Sequence, residues 1–254
     1  MPVVTWPRPL FQPGGLPADI VFQVFSAGLP ADPPPISRER HGLPAGEAPE
    51  GIFFSEVPRE DAEGFFQSFA RAPLFGPAQA ALGAELGEVL GAAVCYEVAG
   101  EAPEPEDLAY LQHAWGVVRW LCEQGAGPVY DFHARRWWRR AEILALPLER
   151  PFELDREVSI EAVETGDPAL GRLLVTRGLA KFGRPDLVIV RASADDEARI
   201  LALARAMALG LCLDEGELEG EDGSSLTISA YRLGGDLPDL DIINDALVVS
   251  RGEG

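Results

Sequence analysis

Hydrophobic positions along the chain recur with two periods, and each period marks a different element. Asp19-Ile20-Val21-Phe22-Gln23-Val24-Phe25 is dense in β-branched and aromatic residues and predicts a strand. Ile52-Phe53-Phe54 predicts another, and Val89 to Val98 reads as a buried strand. Period 3.6 takes over after Pro58-Arg59-Glu60-Asp61, where acids open a helix and Phe65, Phe66 and Phe69 fall at helical spacing. Residues 78 to 85 form a second helical segment. The clearest helix opens at Pro105-Glu106-Asp107, with Leu108, Leu111, Trp115, Val118 and either Leu121 or Cys122 on one face and Gly125 near its end. A short strand at Val129-Tyr130-Asp131 and a helix from about Ala134 to Leu146 follow.

Pro147 to Asp155 is the best candidate boundary. Beyond it the pattern gives strands near 157–164, 171–176 and 186–192, then a helix over 195–209 capped by Ser193 or Asp195 and ended by Gly210. An acidic loop over 214–223 precedes two strands, 226–232 and 246–250. Neither half alternates strand and helix regularly. The expected class is therefore α+β, with mixed, largely antiparallel sheets and helices packed on them, in one body or two tightly associated halves. The division read from the sequence is an irregular arm over 1–17, an α/β half over 18–148 and an α+β half over 152–254. The first half holds a long proline-rich loop, 28–51, which includes Pro33-Pro34-Pro35.

Composition narrows the function. The 254 residues are 47% hydrophobic and 24% charged, as in a globular protein. Asp and Glu number 41 against 21 Lys and Arg, a net charge of −20. Such a field repels nucleic acid and anionic lipid and favours basic partners. Lys181 is the sole lysine, an Arg-for-Lys bias that fits a high-G+C bacterial genome. Three dispersed cysteines without C-x-x-C spacing point to a reducing compartment, and Cys95 and Cys122 sit in apolar runs as small buried hydrophobes. The N-terminus has no basic leader followed by an apolar stretch, and no long apolar run suits a membrane span. A cytoplasmic protein is expected, with no cofactor.

Phosphate-loop, nucleophile-elbow, H-E-x-x-H and dinucleotide-binding motifs are all missing from the sequence, so no catalytic residue or metal set is assigned. Two groups carry chemistry that could bind. In Asp131-Phe132-His133, with His113 on the preceding helix, the carboxylate could orient an imidazole. The adjoining Arg135-Arg136-Trp137-Trp138-Arg139-Arg140 is the one concentrated basic patch, pairing bidentate forks with stacking surfaces. Asp131, His133, Arg135, Arg136 and Trp137 are thus candidates for an anionic ligand; the plainer reading makes the tryptophans core and pairs the arginines with surplus acids. His41, in the proline-rich loop, is expected to be solvated. The acidic runs 214–222 and 236–245 read as solvated loops or as a surface for a basic partner, with Asp214, Glu215, Glu217, Asp239 and Asp241 as its candidates.

Thr176-Arg177-Gly178-Leu179-Ala180-Lys181-Phe182-Gly183-Arg184-Pro185-Asp186 reads as a strand end, one helical turn and a new strand, on which Arg177, Lys181 and Arg184 cluster. Arg177 and Lys181 join the ligand-binding candidates. The pattern T-x-G-L-x-x-F-G-x-P-D resembles a box of a bacterial domain-of-unknown-function family. It is also similar to suppressor-of-fused-like proteins, some of which are immunity proteins against toxins. The resemblance covers about 14 residues and implies an α+β fold and an interaction role, with no catalytic residue. The expected function is a non-enzymatic binding protein, of immunity type, that neutralises a basic partner. The alternative is an enzyme or small-anion binder built on the 131–140 cluster.

Overall fold

The computed structural model describes residues 4–148, 153–168, 170–193, 196–219, 225–231 and 245–251. They form two compact units, one of Met1–Pro7, Asp19–Ala102 and Asp107–Phe152, the other of Arg8–Ala18, Pro103–Glu106 and Glu153–Gly254. Each unit holds one sheet with helices against it, and the class is α+β.

The first unit carries, in chain order, β1 (Ala18–Ser26), α1 (Arg38–His41), β2 (Ile52–Pro58), α2 (Glu63–Ser68), α3 (Phe75–Leu82) and α4 (Leu86–Gly91). There follow β3 (Val94–Ala102), α5 (Ala109–Glu123), β4 (Val129–Asp131), β5 (Arg136–Trp138) and α6 (Arg140–Leu144). The sheet order is β2-β3-β1-β4-β5, and the β2/β3, β1/β4 and β4/β5 pairs are antiparallel. Alternation along β1 sends Phe22 to one face and Phe25 to the other. Phe22 meets Trp115 of α5 at 4.4 Å between ring centroids. Phe25 lies among Phe66, Phe69 and Trp137, in a core that α2, α3 and α4 complete with Ala78, Leu82, Leu86 and Val89. Helices therefore cover both faces.

The stripe predicted for α5 is the one that packs: Leu108, Leu111, Trp115, Val118, Leu121 and Cys122 are all buried. Asp107 Oδ1 accepts from the Ala109 N–H at 2.9 Å, satisfying a donor of the first turn. Gly116 is where the proline-rich loop docks, since a Cβ there would overlap Leu43 and the His41 carbonyl.

The second unit holds α7 (Leu154–Glu157), β6 (Ser159–Glu164), β7 (Arg172–Arg177), β8 (Asp186–Ile189), α8 (Asp196–Ala208), β9 (Gly216–Glu219), β10 (Ser225–Ala230) and β11 (Ala246–Arg251). Its sheet order is β6-β7-β8-β11-β10-β9, antiparallel except for the parallel β8/β11 pair. Leu173, Val175 and Val188 share one apolar face with Ala246. The alternate residues look the other way, where α8 packs on β7 and β8 with Ile200, Ala204 and Met207 buried. Ser193 N–H and O–H both donate to Asp196 Oδ2, at 2.6 and 2.7 Å, and fix the start of α8.

Three elements differ from expectation. Val89 to Gly91, expected to open a buried strand, lie in α4, and β3 begins only at Val94. The helix expected over 134–146 is a strand followed by a shorter helix. Trp137 and Trp138 each have a large partner, Tyr130 and Trp115, on opposite sides of the sheet, and only a strand sends consecutive side chains to opposite faces. The acidic loop expected over 214–223 contains β9, whose Leu218 pairs with Leu226 of β10.

Burial also sets thiol reactivity. It pushes the Cys95 thiol up to about 12, helped by Glu97, and the Cys122 thiol up to about 12. Cys212 is partly exposed. Because the thiolate is the nucleophile, iodoacetamide on the native protein at neutral pH modifies Cys212 alone, and Cys95 and Cys122 react only after denaturant. Peptide mapping checks this, and prompt labelling of either buried cysteine contradicts it.

Candidate functional site

The β4–β5 hairpin gathers the first set of candidates. Asp131 is fully buried and its Oδ1 accepts from Ala134 N–H at 3.1 Å, closing the turn at which Arg135 takes a positive φ of 49°. Trp137 belongs to the Phe25 core. Arg136 lies with its guanidinium over the Trp138 ring, 4.1 Å from its centroid. Arg139 donates to the Ala81 carbonyl, and Arg140 Nε to the Cys122 carbonyl at 2.8 Å. Much of the basic patch is thus engaged in packing and capping.

His133 is the exception. It is buried, its Nε2 lies 3.1 Å from Asp19 Oδ2 but off the line of a directed hydrogen bond, and neither ring nitrogen has a well-formed hydrogen-bond partner. His41, expected to be solvated, is buried: Nδ1 accepts from Ser37 N–H at 2.8 Å and Nε2 lies 3.2 Å from Glu123 Oε2. Glu123 also pairs with Arg40 at 2.7 Å, so the loop is tied to α5 by charge as well as by packing. His113 titrates below the ordinary histidine range because it is desolvated, with the Arg38 charge as a second cause. No group of three or more His, Cys, Asp or Glu that could hold a metal ion occurs among the described residues.

The 176–186 box turns its polar side chains inward. Thr176 Oγ1 accepts from Leu187 N–H at 2.7 Å and donates to Asp186 Oδ1 at 3.1 Å, and Asp186 Oδ1 also accepts from Leu179 N–H at 3.2 Å. Three backbone and side-chain donors are so satisfied around the 3₁₀ turn Leu179–Phe182. Lys181 Nζ lies 2.8 Å from Glu157 Oε2, and both side chains are buried. Arg177 donates through Nε and Nη2 to Glu161 Oε2 at 3.2 and 3.1 Å.

Arg184 donates to four carbonyls, those of Leu211, Gly183, Gln12 and Gly210, at 2.7 to 3.0 Å. It clamps the arm to the turn and to the end of α8. Gly183, at φ 62°, could carry no Cβ, which would overlap the Leu16 carbonyl. Arg8 completes the clamp with donors to Pro105 and Phe182 carbonyls at 2.8 and 2.9 Å. The box is a buried ionic scaffold, and each of its cations has a partner within the fold.

The acidic candidates divide. Asp214 and Glu215 are exposed just before β9, and Glu217 lies on that edge strand opposite Thr227. Asp239 and Asp241 lie outside the described residues. The polar–apolar alternation of Glu217-Leu218-Glu219 is the signal that identifies the strand. Nothing comparable marks His41 in the sequence, because its burial depends on α5, distant along the chain.

Fold and site together define an α+β protein whose two sheets are each dressed with helices and in which buried Lys181 is paired with buried Glu157. No protein-family model, no curated protein and no solved structure matches the chain. No helix among the described residues is long and apolar enough to cross a membrane.

Proposed function

We propose that this is a non-enzymatic cytoplasmic binding protein that captures a basic partner, in the manner of an immunity protein. One observation carries the reading. Among the described residues the buried ionic side chains balance: Arg8, Arg177, Lys181 and Arg184 against Asp131, Glu157, Asp186 and Asp196. The whole surplus of −20 therefore lies outside this buried set. A field of that sign raises the encounter rate with a cationic protein and repels nucleic acid. Asp214 and Glu215 contribute to it at an exposed position, and the likeness of the 176–186 box to suppressor-of-fused-like immunity proteins points the same way.

The alternative, an anion site on the hairpin, has less support, because Asp131 closes a turn and Trp137 is core. The test is affinity capture from the host lysate on the intact protein at low and moderate salt, beside an Asp214→Asn/Glu215→Gln variant. The expected result is one basic protein, recovered in stoichiometric amount, released by salt and reduced by the variant. Recovery of an acidic protein, or of nothing, overturns the reading.

A further inference from the structure

A strand at a sheet edge presents unpaired N–H and C=O groups, and folded proteins guard such edges with short strands, charge, proline or bulges. Among the described residues the two sheets have four edge strands, and three of these are guarded. β5 has three residues and begins with Arg136. β6 carries Glu161 and Glu164, and β9 carries Glu217 and Glu219.

β2 is different. Its seven residues pair with β3 in unbroken register from Ile52↔Gly100 to Pro58↔Val94, with no bulge. Its proline is the last residue and its one charge is Glu56. Phe53 and Phe54 are 54% and 46% exposed, and as neighbours on a strand they lie on opposite faces. Phe54 stacks on Tyr96 at 5.5 Å and meets Trp120 edge-on at 6.4 Å, which fixes its ring at the lip of the sheet. An added strand would find hydrogen-bonding groups along the edge and an aromatic surface on each side of it.

The charge around this edge selects the occupant. Glu50 precedes β2, Glu56 lies within it, and Glu97 and Glu101 flank it on β3, with Glu97 opposite Ser55. The nearby cation, Arg59, is engaged with the Leu90 and Ala92 carbonyls and with Glu63. A second copy of the chain would set these acids against themselves. An extended segment alternating arginine or lysine with apolar residues would instead pair its main chain with β2, cover Phe53 and Phe54, and reach the glutamates.

We propose that the free edge of β2 is the docking surface for an extended basic segment of a partner protein, which joins the five-stranded sheet as a further strand. The basic character of the occupant rests on the functional reading above.

The probe is a short peptide of alternating arginine and valine, with a same-composition peptide in which the two residues are in separate blocks as control. Binding to the full-length protein is followed by fluorescence anisotropy and by hydrogen exchange. The expected result is that the alternating peptide binds more tightly than the block peptide and slows exchange of amides within 52–58. Phe53→Lys and Phe53→Ser, both at an exposed position, each weaken it by about tenfold or more. Binding with exchange in 52–58 unchanged, and equal affinity in both variants, overturns the docking edge and leaves the basic-partner reading standing. No binding of the alternating peptide also overturns the edge. Slow exchange in 52–58 without peptide, deepening with protein concentration, overturns the choice of occupant in favour of a second copy. The basic-partner reading fails separately, when the protein captured from lysate is not basic.

Discussion

Lys181→Ala lowers the unfolding free energy by about 3 to 5 kcal/mol, the cost of leaving a buried partner charge uncompensated. Lys181 is the chain's sole lysine, is fully buried, and holds Glu157 at 2.8 Å. Removing it strands the Glu157 carboxylate in the interior. For a chain of this size the loss is a fall in melting temperature on the order of 10 °C. The double variant Lys181→Met/Glu157→Leu recovers most of that loss, because burying two apolar side chains avoids desolvating two charges. Chemical denaturation of the single and double variants measures both terms. A Lys181→Ala protein as stable as the parent would mean that the pair is solvated, and would remove the scaffold role assigned to the box.

Trp137→Ala costs about 3 to 5 kcal/mol, as truncation of a large buried aromatic does. The indole lies 4.7 Å from Tyr130, 5.3 Å from Phe69 and 5.7 Å from Phe25 between ring centroids, and those rings link β1, β4 and the C-cap of α2. The loss falls on stability, read as a lower denaturant midpoint with an unchanged slope. A Trp137→Ala protein that kept its midpoint would return this residue to the list of ligand contacts.

The same two residues show what the sequence discloses and where it misleads. α5 is legible because its apolar stripe has the helical period and every member of the stripe is buried. The strand–turn–strand course of the 176–186 box is legible because Gly178 and Gly183 both take positive φ, at 108° and 62°. The use of Lys181 is not legible. A lone lysine clustered with two arginines reads as a ligand-binding candidate, whereas in the fold it is buried against Glu157, brought in by α7. The hairpin misleads for a related reason. Ala134 to Leu146 reads as a helix, yet aromatic partners on both sides of the sheet hold Trp137 and Trp138 in a strand, so tertiary packing overrides local preference. His41 is invisible at the sequence level because its burial is created by Glu123 and Gly116, both on a helix far along the chain. The charge surplus is fully legible in composition. That the buried ions among the described residues balance required the fold.

The most direct test of the account is the ionic-strength dependence of the association rate between this protein and the basic partner proposed for it, measured by stopped flow. Electrostatic capture predicts a rate that falls steeply as salt screens the field, with a dissociation rate that changes far less. An association rate that stays flat across the same range of salt would contradict it, and would mean that the negative surface serves solubility alone.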